Sequence, residues 1–137
     1  MKQTYDIVII GGGPAGLAAA VAAYDSGVQD ILVLEREENL GGILNQCIHN
    51  GFGLTRFKES LSGPEYAARF ITEVEKRDIE VLTATTVLSL TQDKQVTAMN
   101  TTSGVFTIQA KSVILAMGCR ERSRGALNVA GSRPAGI

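Results

Sequence analysis

Apolar and polar positions follow different periods along this chain, and the changes of period divide it into segments. Tyr5–Ile10 and Asp30–Glu35 are mostly aliphatic or β-branched runs, as expected of strands buried in a parallel sheet. Pro14 to about Asp25 is rich in alanine, which predicts a helix that stops at Gly27. Strand, helix and strand within about thirty residues predict a βαβ unit with a right-handed crossover.

A second helix is predicted after a long glycine-rich segment. Ser62-Gly-Pro64 marks its start, because proline suits the first helical turn. Its apolar residues recur at helical spacing and form one stripe. These residues are Tyr66, Ala67, Phe70, Ile71 and Val74. Ile79–Leu82 follows as a predicted third parallel strand.

The period then changes to strict alternation. Val87–Thr91, Gln95–Met99 and Val105–Gln109 are separated by polar turns, which predicts a three-stranded antiparallel meander. Ser112–Ala116 is again a continuous apolar run and predicts a separate buried strand. We therefore expect an α/β, Rossmann-like fold: a parallel sheet with an inserted antiparallel meander, incomplete at its end.

Composition narrows the range of partners. The 137 residues suit one domain, and with 45% hydrophobic and 20% charged residues the chain has a globular composition. The net charge of −1 argues against nucleic acid. Ile7–Ala23 is an uncharged run similar to a signal peptide, but Asp6, the three consecutive glycines and Pro14 argue against one, and the run is short for a membrane span. Two cysteines without a CxxC motif indicate a reducing cytoplasm, and a single histidine argues against a metal site.

The most informative motif is Gly11-Gly-Gly13-Pro-Ala-Gly16, which fits GxGxxG between a strand and a helix. Gly11 permits the tight turn, Gly13 lets the backbone approach a pyrophosphate, and Gly16 lets helix pack on strand. The helix start supplies N–H groups for the anion. Glu35 ends the second strand, where an acid for the ribose hydroxyls is expected. A P-loop is excluded because no Lys-Ser/Thr follows the glycines.

Together, GGGPAG, Glu35, Gly41-Gly42, the meander and Ala116-Met-Gly118 resemble the FAD/NAD(P)-dependent pyridine nucleotide-disulfide oxidoreductase superfamily. Within it, the chain is similar to flavoprotein subunits related to opine dehydrogenase and dye-linked proline dehydrogenase. It is also similar to flavoproteins that accompany anaerobic glycerol-3-phosphate dehydrogenases. The implied cofactor is FAD, with NAD(P) in the full-length protein. A plain NAD-binding domain is the competing interpretation, but such domains usually continue with another βαβ unit instead of a meander.

The resemblance also implies roles for individual residues. The pyrophosphate of FAD would be held by Gly11, Gly13, Pro14, Ala15 and Gly16. Glu35 would bind the adenosine ribose, and Arg36 would lie against the adenine. Gly42 and Ile43 would run along the pyrophosphate and ribityl chain, and the Val87 backbone would meet the adenine. Ala116, Met117 and Gly118 would form a turn over the cofactor.

Cys47 and His49 are the candidate catalytic residues. Disulfide reductases of the superfamily carry CxxxxC soon after the Gly-Gly pair, but here Leu44 and His49 occupy those two positions. A dithiol relay is therefore not expected. Cys47 is either a single redox thiol or, as we favour, a small packed residue. His49 is either an acid or base beside the flavin or a solvent-facing loop residue.

Two features associated with the superfamily are not found in this sequence. It has no second GxGxxG for NAD(P)H and no Gly-Asp segment to complete the FAD domain. We interpret 1–118 as the interrupted FAD-binding domain and 119–137 as a connector toward an absent NAD(P)-binding domain. The expected parent is a cytoplasmic, oligomeric oxidoreductase acting on a small molecule, with a possible redox partner subunit. We expect the chain by itself to be inactive and to bind FAD weakly or not at all. The alternatives are a non-catalytic dinucleotide-binding subunit and, less well supported, a flavin-dependent hydroxylase or oxidase.

Overall fold

The computed structural model describes residues 2–119, 122, 124–128 and 131. Most of the predicted connector 119–137 therefore lies outside the described residues. The helices are α1 (Pro14–Asp25), α2 (Gly63–Lys76) and the short α3 (Arg124–Leu127). No helix in the described part is long and apolar enough to cross a bilayer.

Within the described residues, eight strands form two sheets. The strands are β1 (Thr4–Ile10), β2 (Ile31–Leu34), β3 (Asn50–Phe52), β4 (Leu61–Ser62), β5 (Glu80–Leu82), β6 (Thr86–Leu90), β7 (Gln95–Asn100) and β8 (Gly104–Leu115). The main sheet has the order β5-β2-β1-β8-β7-β6. Strands β5, β2, β1 and the end of β8 run parallel, whereas β6, β7 and the start of β8 form the antiparallel meander. The predicted Rossmann-like α/β fold with its inserted meander is confirmed.

The main sheet separates two hydrophobic clusters, because neighbouring side chains of a strand point to opposite faces. On one face, Ile9 and Val33 pack with Leu17 of α1 and Phe70 of α2. On the other face, Val8, Ile10 and Leu32 pack with the meander residues Val96 and Ile108. The helices therefore lie on one face of the parallel strands, and the meander packs against their other face. The carboxyl ends of β1 and β2 lie side by side at one edge of the sheet.

The prediction of a separate buried strand at Ser112–Ala116 was wrong. The third meander strand continues without a break into this run, since no glycine or proline interrupts it. Gln109 pairs with Gln95 on one side and with Thr4 on the other, so β8 passes from the meander to the parallel sheet at this residue. Among the described residues no strand pairs with the far edge of 111–115, and Leu115 is 58% exposed.

The segment between β2 and α2 is more ordered than the predicted loop. It contains a 3₁₀ turn over Gly42–Gln46 and the small β3–β4 ladder. A cluster of aromatic rings holds this segment against α2. It consists of His49, Phe52, Phe57, Tyr66 and Phe70, with ring centroids 5.2–6.2 Å apart. The cluster attaches the glycine-rich segment to the helix layer.

Candidate functional site

A first glycine loop lies at the carboxyl end of β1. Gly11 adopts φ +112°, a left-handed conformation that favours glycine, and a Cβ there would lie 2.4 Å from the Ala116 carbonyl oxygen. A Cβ on Gly16 would lie 1.8 Å from the Gly11 carbonyl oxygen. Strand, turn and helix are therefore too close together for any side chain at these two positions. These contacts agree with the tight turn and close helix packing predicted for Gly11 and Gly16.

The start of α1 is open to an anion. Gly13 is its N-cap residue, Pro14 occupies the first helical position, and no side chain of the described residues caps this end. The first turn also contains no acidic residue. Because the first N–H groups of a helix have no partner within the helix, those of Ala15 and Gly16 carry positive charge toward this end. The arrangement is suited to a phosphate group.

Glu35 places a buried carboxylate beside the same loop. It is only 7% exposed, and its Oε2 accepts a hydrogen bond of 2.7 Å from the backbone N–H of Gly12. Its Oε1 accepts a hydrogen bond of 2.8 Å from the N–H of Glu37. Each carboxylate oxygen has a second lone pair, so both oxygens can still accept hydrogen bonds from hydroxyl groups. A Cβ at position 12 would lie 2.4 Å from Leu40 Cδ2 and 3.1 Å from Glu35 Oε2, so a side chain there would displace both of these side chains.

A second glycine loop packs directly on the first. The N–H of Gly41 donates to the carbonyl of Gly12 at 2.9 Å, and both Gly41 and Gly42 have positive φ. A Cβ on Gly42 would lie 3.0 Å from the Gly13 Cα, so the two backbones are in contact. Ile43 follows on the exposed side. The structure therefore brings 41–43 to the start of α1, as the Gly42 and Ile43 predictions require.

The turn 116–118 completes the surroundings of the first loop. The Ala116 N–H donates to the Ile10 carbonyl at 2.8 Å, extending the pairing of β1 and β8. Met117 is exposed, and Gly118 adopts φ +67°. Ala116 and the Met117 backbone nitrogen thus lie next to Gly11, and Gly118 follows them in the chain, although β8 reaches this turn by a different route from the one predicted.

Arg36 directly follows Glu35, and Val87 lies in β6, two residues after Thr85. The Arg36 Nε donates to Glu37 Oε1 at 3.0 Å in a solvent-exposed ion pair. Val87 pairs with Ala98 next to a register shift in β6, and its side chain packs against the meander-side core. Neither observation tests the predicted adenine contacts.

Cys47 and His49 belong to the second loop, where each contacts residues that hold the loop in place. The Cys47 thiol donates to the Ile43 carbonyl at 3.4 Å, across the 3₁₀ turn. The Cys47 carbonyl accepts a hydrogen bond from the N–H of Gly63, where a Cβ would lie 2.7 Å from the Cys47 Cβ. His49 is exposed, with its ring against Phe52. No group of three or more His, Cys, Asp or Glu side chains in the described part of the chain is arranged to hold a metal ion.

Sequence reasoning overlooked Thr85 and Asn100. The Thr85 side chain is 1% exposed, its hydroxyl accepts a hydrogen bond from Asn100 Nδ2 at 3.2 Å, and its N–H donates to the Glu35 carbonyl at 2.8 Å. Threonine is common in strand-rich segments and asparagine is common before turns. Neither residue type therefore marked its position as part of a site. Gly63 was likewise unmarked as a packing position, although its neighbour Ser62 was predicted to begin α2.

Comparison with known proteins identifies the relatives of this arrangement. Residues 5–136 match the pyridine nucleotide-disulphide oxidoreductase family. The chain is 33% identical over 132 residues to thioredoxin reductase of Ureaplasma parvum, covering 95% of this chain and 39% of that protein. It superimposes on the crystal structure of Streptococcus pyogenes thioredoxin reductase with a TM-score of 0.70 and 27% identity, covering 89% of this chain and 38% of the other. It shares the fold of L-proline dehydrogenase from P. horikoshii at a TM-score of 0.70 and 21% identity, covering 90% and 25%.

Proposed function

The chain belongs to the pyridine nucleotide-disulphide oxidoreductase family, and we propose that it is the N-terminal, FAD-binding part of a flavoprotein oxidoreductase. The observation that carries this proposal is the meeting of two glycine loops at the uncapped start of α1, beside the buried carboxylate of Glu35. The chain spans well under half the length of the relatives described above. The activity of the whole protein is therefore part of the proposal.

The residues present fit a dinucleotide. Gly11, Gly13 and Gly42 leave space where any Cβ would meet backbone or a bound group, and the α1 N–H groups would face the phosphates. Glu35 retains acceptor capacity for the adenosine ribose hydroxyls. We assign Arg36 and the Val87 backbone to the adenine side. FAD is favoured over NAD because an antiparallel meander, and not another βαβ unit, follows the third strand.

The bound flavin would supply hydride and electron transfer, and the protein would supply binding and orientation. Gly42 and Ile43 would guide the ribityl chain, and the turn Ala116, Met117 and Gly118 would cover the cofactor on the opposite side of the first loop. The proposed donor is a nicotinamide or an amine or hydroxy acid, with an acceptor still to be identified. NAD(P) would bind in the remainder of a cytoplasmic, oligomeric parent protein, and 119–137 would connect to that part.

Cys47 and His49 are proposed to shape the second loop. The Cys47 thiol closes the 3₁₀ turn on the Ile43 carbonyl, and the His49 ring packs on Phe52. A Cys47→Ser variant retains a donor at this position, so FAD affinity is expected to change less than about threefold. A redox role would instead show as loss of any charge-transfer absorption. His49→Gln tests the proton role by its effect on the pH dependence of flavin reduction in the full-length enzyme.

The second candidate is a catalytically silent dinucleotide-binding subunit that assembles with a redox partner. It shares the same glycine loops and Glu35, so FAD binding by itself does not separate it from the oxidoreductase. A downstream GxGxxG in the full reading frame, together with flavin reduction by NADH or NADPH, supports the oxidoreductase. Bound flavin that is reduced neither by a nicotinamide nor by an amine or hydroxy acid supports the silent subunit.

FAD titration of the 137-residue chain tests the proposed function directly. We expect weak binding, because part of the flavin's surroundings belongs to the rest of the protein, and we expect a Glu35→Gln variant to bind about tenfold more weakly. Flavin fluorescence quenching measures both values. Glu38→Gln, at an exposed carboxylate three residues on, is the matched control and should bind as the wild type does. Tight NAD binding without FAD binding would contradict the proposal. Stoichiometric flavin in the purified chain would contradict the expected weak binding.

A further inference from the structure

A short connection between β5 and β6 is held firmly in place beside Glu35. Three backbone hydrogen bonds of 2.8–2.9 Å attach it to the end of β2: Glu35 N–H to the Leu82 carbonyl, Thr85 N–H to the Glu35 carbonyl and Ala84 N–H to the Glu37 carbonyl. Between them, Ala84 adopts φ +47°, in the left-handed region that alanine rarely occupies. Such a conformation persists only where its surroundings enforce it.

The side chain of Thr85 connects this segment to the meander. Its hydroxyl donates to the Thr83 carbonyl at 2.8 Å and accepts from Asn100 Nδ2 at 3.2 Å. The other end of the Asn100 amide is occupied too, since its Oδ1 accepts the Ser103 N–H at 2.6 Å. Thr85 and Glu35 are the two polar or charged residues among the buried side chains described. A buried hydroxyl with both hydrogen bonds made holds its neighbours in one arrangement.

The path of contacts ends at the first glycine loop. Asn100 holds the Thr85 hydroxyl, the Thr85 N–H holds the Glu35 main chain, and the Glu35 carboxylate holds the Gly12 N–H. We infer that Thr85 and Asn100 are positioning residues for the adenosine end of the cofactor site, acting through Glu35. This inference rests on the proposed function, because it assigns Glu35 to the adenosine ribose.

The inference explains why polar groups are buried here instead of aliphatic ones. A valine at position 85 would fill similar space, but it would leave the Thr83 carbonyl and the Asn100 amide without the hydroxyl. The segment that holds the Glu35 main chain would then lose its side-chain hydrogen bonds to Asn100 and to the Thr83 carbonyl. Thr85 and Asn100 reach the ligand only through Glu35, so they are positioning residues and not catalytic ones.

Thr85→Val, Thr85→Ser and Thr107→Val test this inference. Thr107 is an exposed threonine of β8, so its valine variant controls for the loss of a hydroxyl in the same sheet. For Thr85→Val, we expect about 5- to 10-fold weaker binding of both FAD and ADP, with riboflavin 5′-phosphate affected less than about twofold. Thr85→Ser should restore FAD and ADP affinity to within about twofold of the wild type, and Thr107→Val should not change it.

Amide hydrogen exchange provides a readout that needs no ligand. In Thr85→Val, the Gly12 N–H should exchange on the order of tenfold faster, while amides of β1 that pair with β2 keep their wild-type rates. Unchanged Gly12 exchange and unchanged ADP affinity in Thr85→Val would overturn the inference. It is also overturned if all sheet amides accelerate together or if the serine variant behaves like the valine variant. If the full-length protein binds neither FAD nor ADP, the proposed function fails, whereas Gly12 exchange still decides whether Thr85 holds Glu35 in position.

Discussion

Helices α1 and α2 are neighbours in one layer, but they begin in different ways. Helix α2 starts with a capping box: Glu65 Oε2 accepts both the backbone N–H and the hydroxyl of Ser62, at 2.7 Å each, and the Ser62 side chain in turn bonds the N3 backbone. Helix α1 starts at Gly13 with no side-chain cap and no acidic residue in its first turn. The free N–H groups of α2 are therefore satisfied by the protein itself, whereas those of α1 remain for a ligand.

The two helices also pack against different parts of the protein. Helix α1 lies against β1, β2 and β8, and Gly16 and Ala20 let it come close to the sheet. Helix α2 packs on α1 and on the 3₁₀ turn, with Phe70 and Val74 on its buried side. The comparison shows that the protein leaves the start of α1 uncapped, whereas α2 is capped and supports the second glycine loop.

The largest expected effect is the loss of close packing at the α1 start. In Gly16→Ala the new Cβ would meet the Gly11 carbonyl oxygen at 1.8 Å, so helix and turn must separate. We expect a loss of about 3 kcal/mol or more in the free energy of unfolding, measured by urea denaturation with circular dichroism.

The control for this variant is Gly125→Ala in α3, where nothing lies within 4 Å of the added Cβ. We expect the free energy of unfolding to stay within about 1 kcal/mol of the wild type. A Gly16→Ala midpoint equal to that of the wild type would show that α1 is not held as closely as the structure indicates.

An intermediate effect is expected from making α1 begin as α2 does. Gly13 has φ −79°, which suits other residues, and a Cβ there would lie 3.9 Å from Gly42 Cα. Gly13→Asp should raise the free energy of unfolding by about 0.5 kcal/mol, because a carboxylate caps the helix and favours its positive end. The same charge should weaken FAD binding by about 100-fold, since it repels the phosphates. Thermal unfolding and fluorescence titration measure the two effects.

Gly13→Asn separates the charge from the cap. It has the same shape and can also cap the helix, so its stability should match that of Gly13→Asp. Its side chain also occupies the space that Gly13 leaves for the pyrophosphate, so its FAD affinity should fall too, but less than that of Gly13→Asp, and the difference measures the effect of the charge. Wild-type FAD affinity in both variants would mean that the phosphates do not lie at the start of α1.

The smallest expected effect concerns the charge in the α2 capping box. Hydrogen bonds from the Ser62 backbone N–H and then from its hydroxyl lower the pKa of Glu65 below its ordinary value of 4.5. A carboxylate with a lowered folded-state pKa stabilises the fold above its unfolded pKa, and this contribution disappears as pH falls through the folded value. Glu65→Gln should therefore lose less stability than the wild type as the pH falls below 4.5.

Urea midpoints across that pH range measure the difference, with Glu75→Gln as the control at an exposed position of the same helix. The glutamine side chain of Glu65→Gln can still reach the backbone, so this variant and the wild type should converge at low pH. Identical acid profiles of the wild type and Glu65→Gln would show that the carboxylate charge contributes nothing to the cap.

Local patterns along the chain were sufficient for most of the fold. The apolar runs at β1 and β2, the stripe on α2 and the alternation of the meander each depend on the periodicity of a single element. The glycine motif was also readable, because Gly11 and Gly16 need their residue type for close contacts within one βαβ unit. For the same reason, the family could be anticipated from these residues before any comparison.

Contacts between distant segments decided what the patterns left open. Whether Ser112–Leu115 forms its own strand depended on the neighbour of Gln109, which pairs with both β1 and β7. The interpretation of Cys47 as a packed residue gained its physical reason from Gly63 and Ile43, which surround it only in the folded chain. The connection from Asn100 through Thr85 to Glu35 joins three segments of the sequence.

The sequence by itself determined α1, α2, most strands of the main sheet, the glycine motif and the acid at the end of β2. Each of these follows from short-range spacing and residue type. Only the tertiary structure decided that the second loop packs on Gly13, that α1 lacks a cap where α2 has one, and that Thr85 fixes Glu35. The physical reason is that hydrogen bonds and close packing between segments far apart along the chain depend on distances that no periodicity encodes.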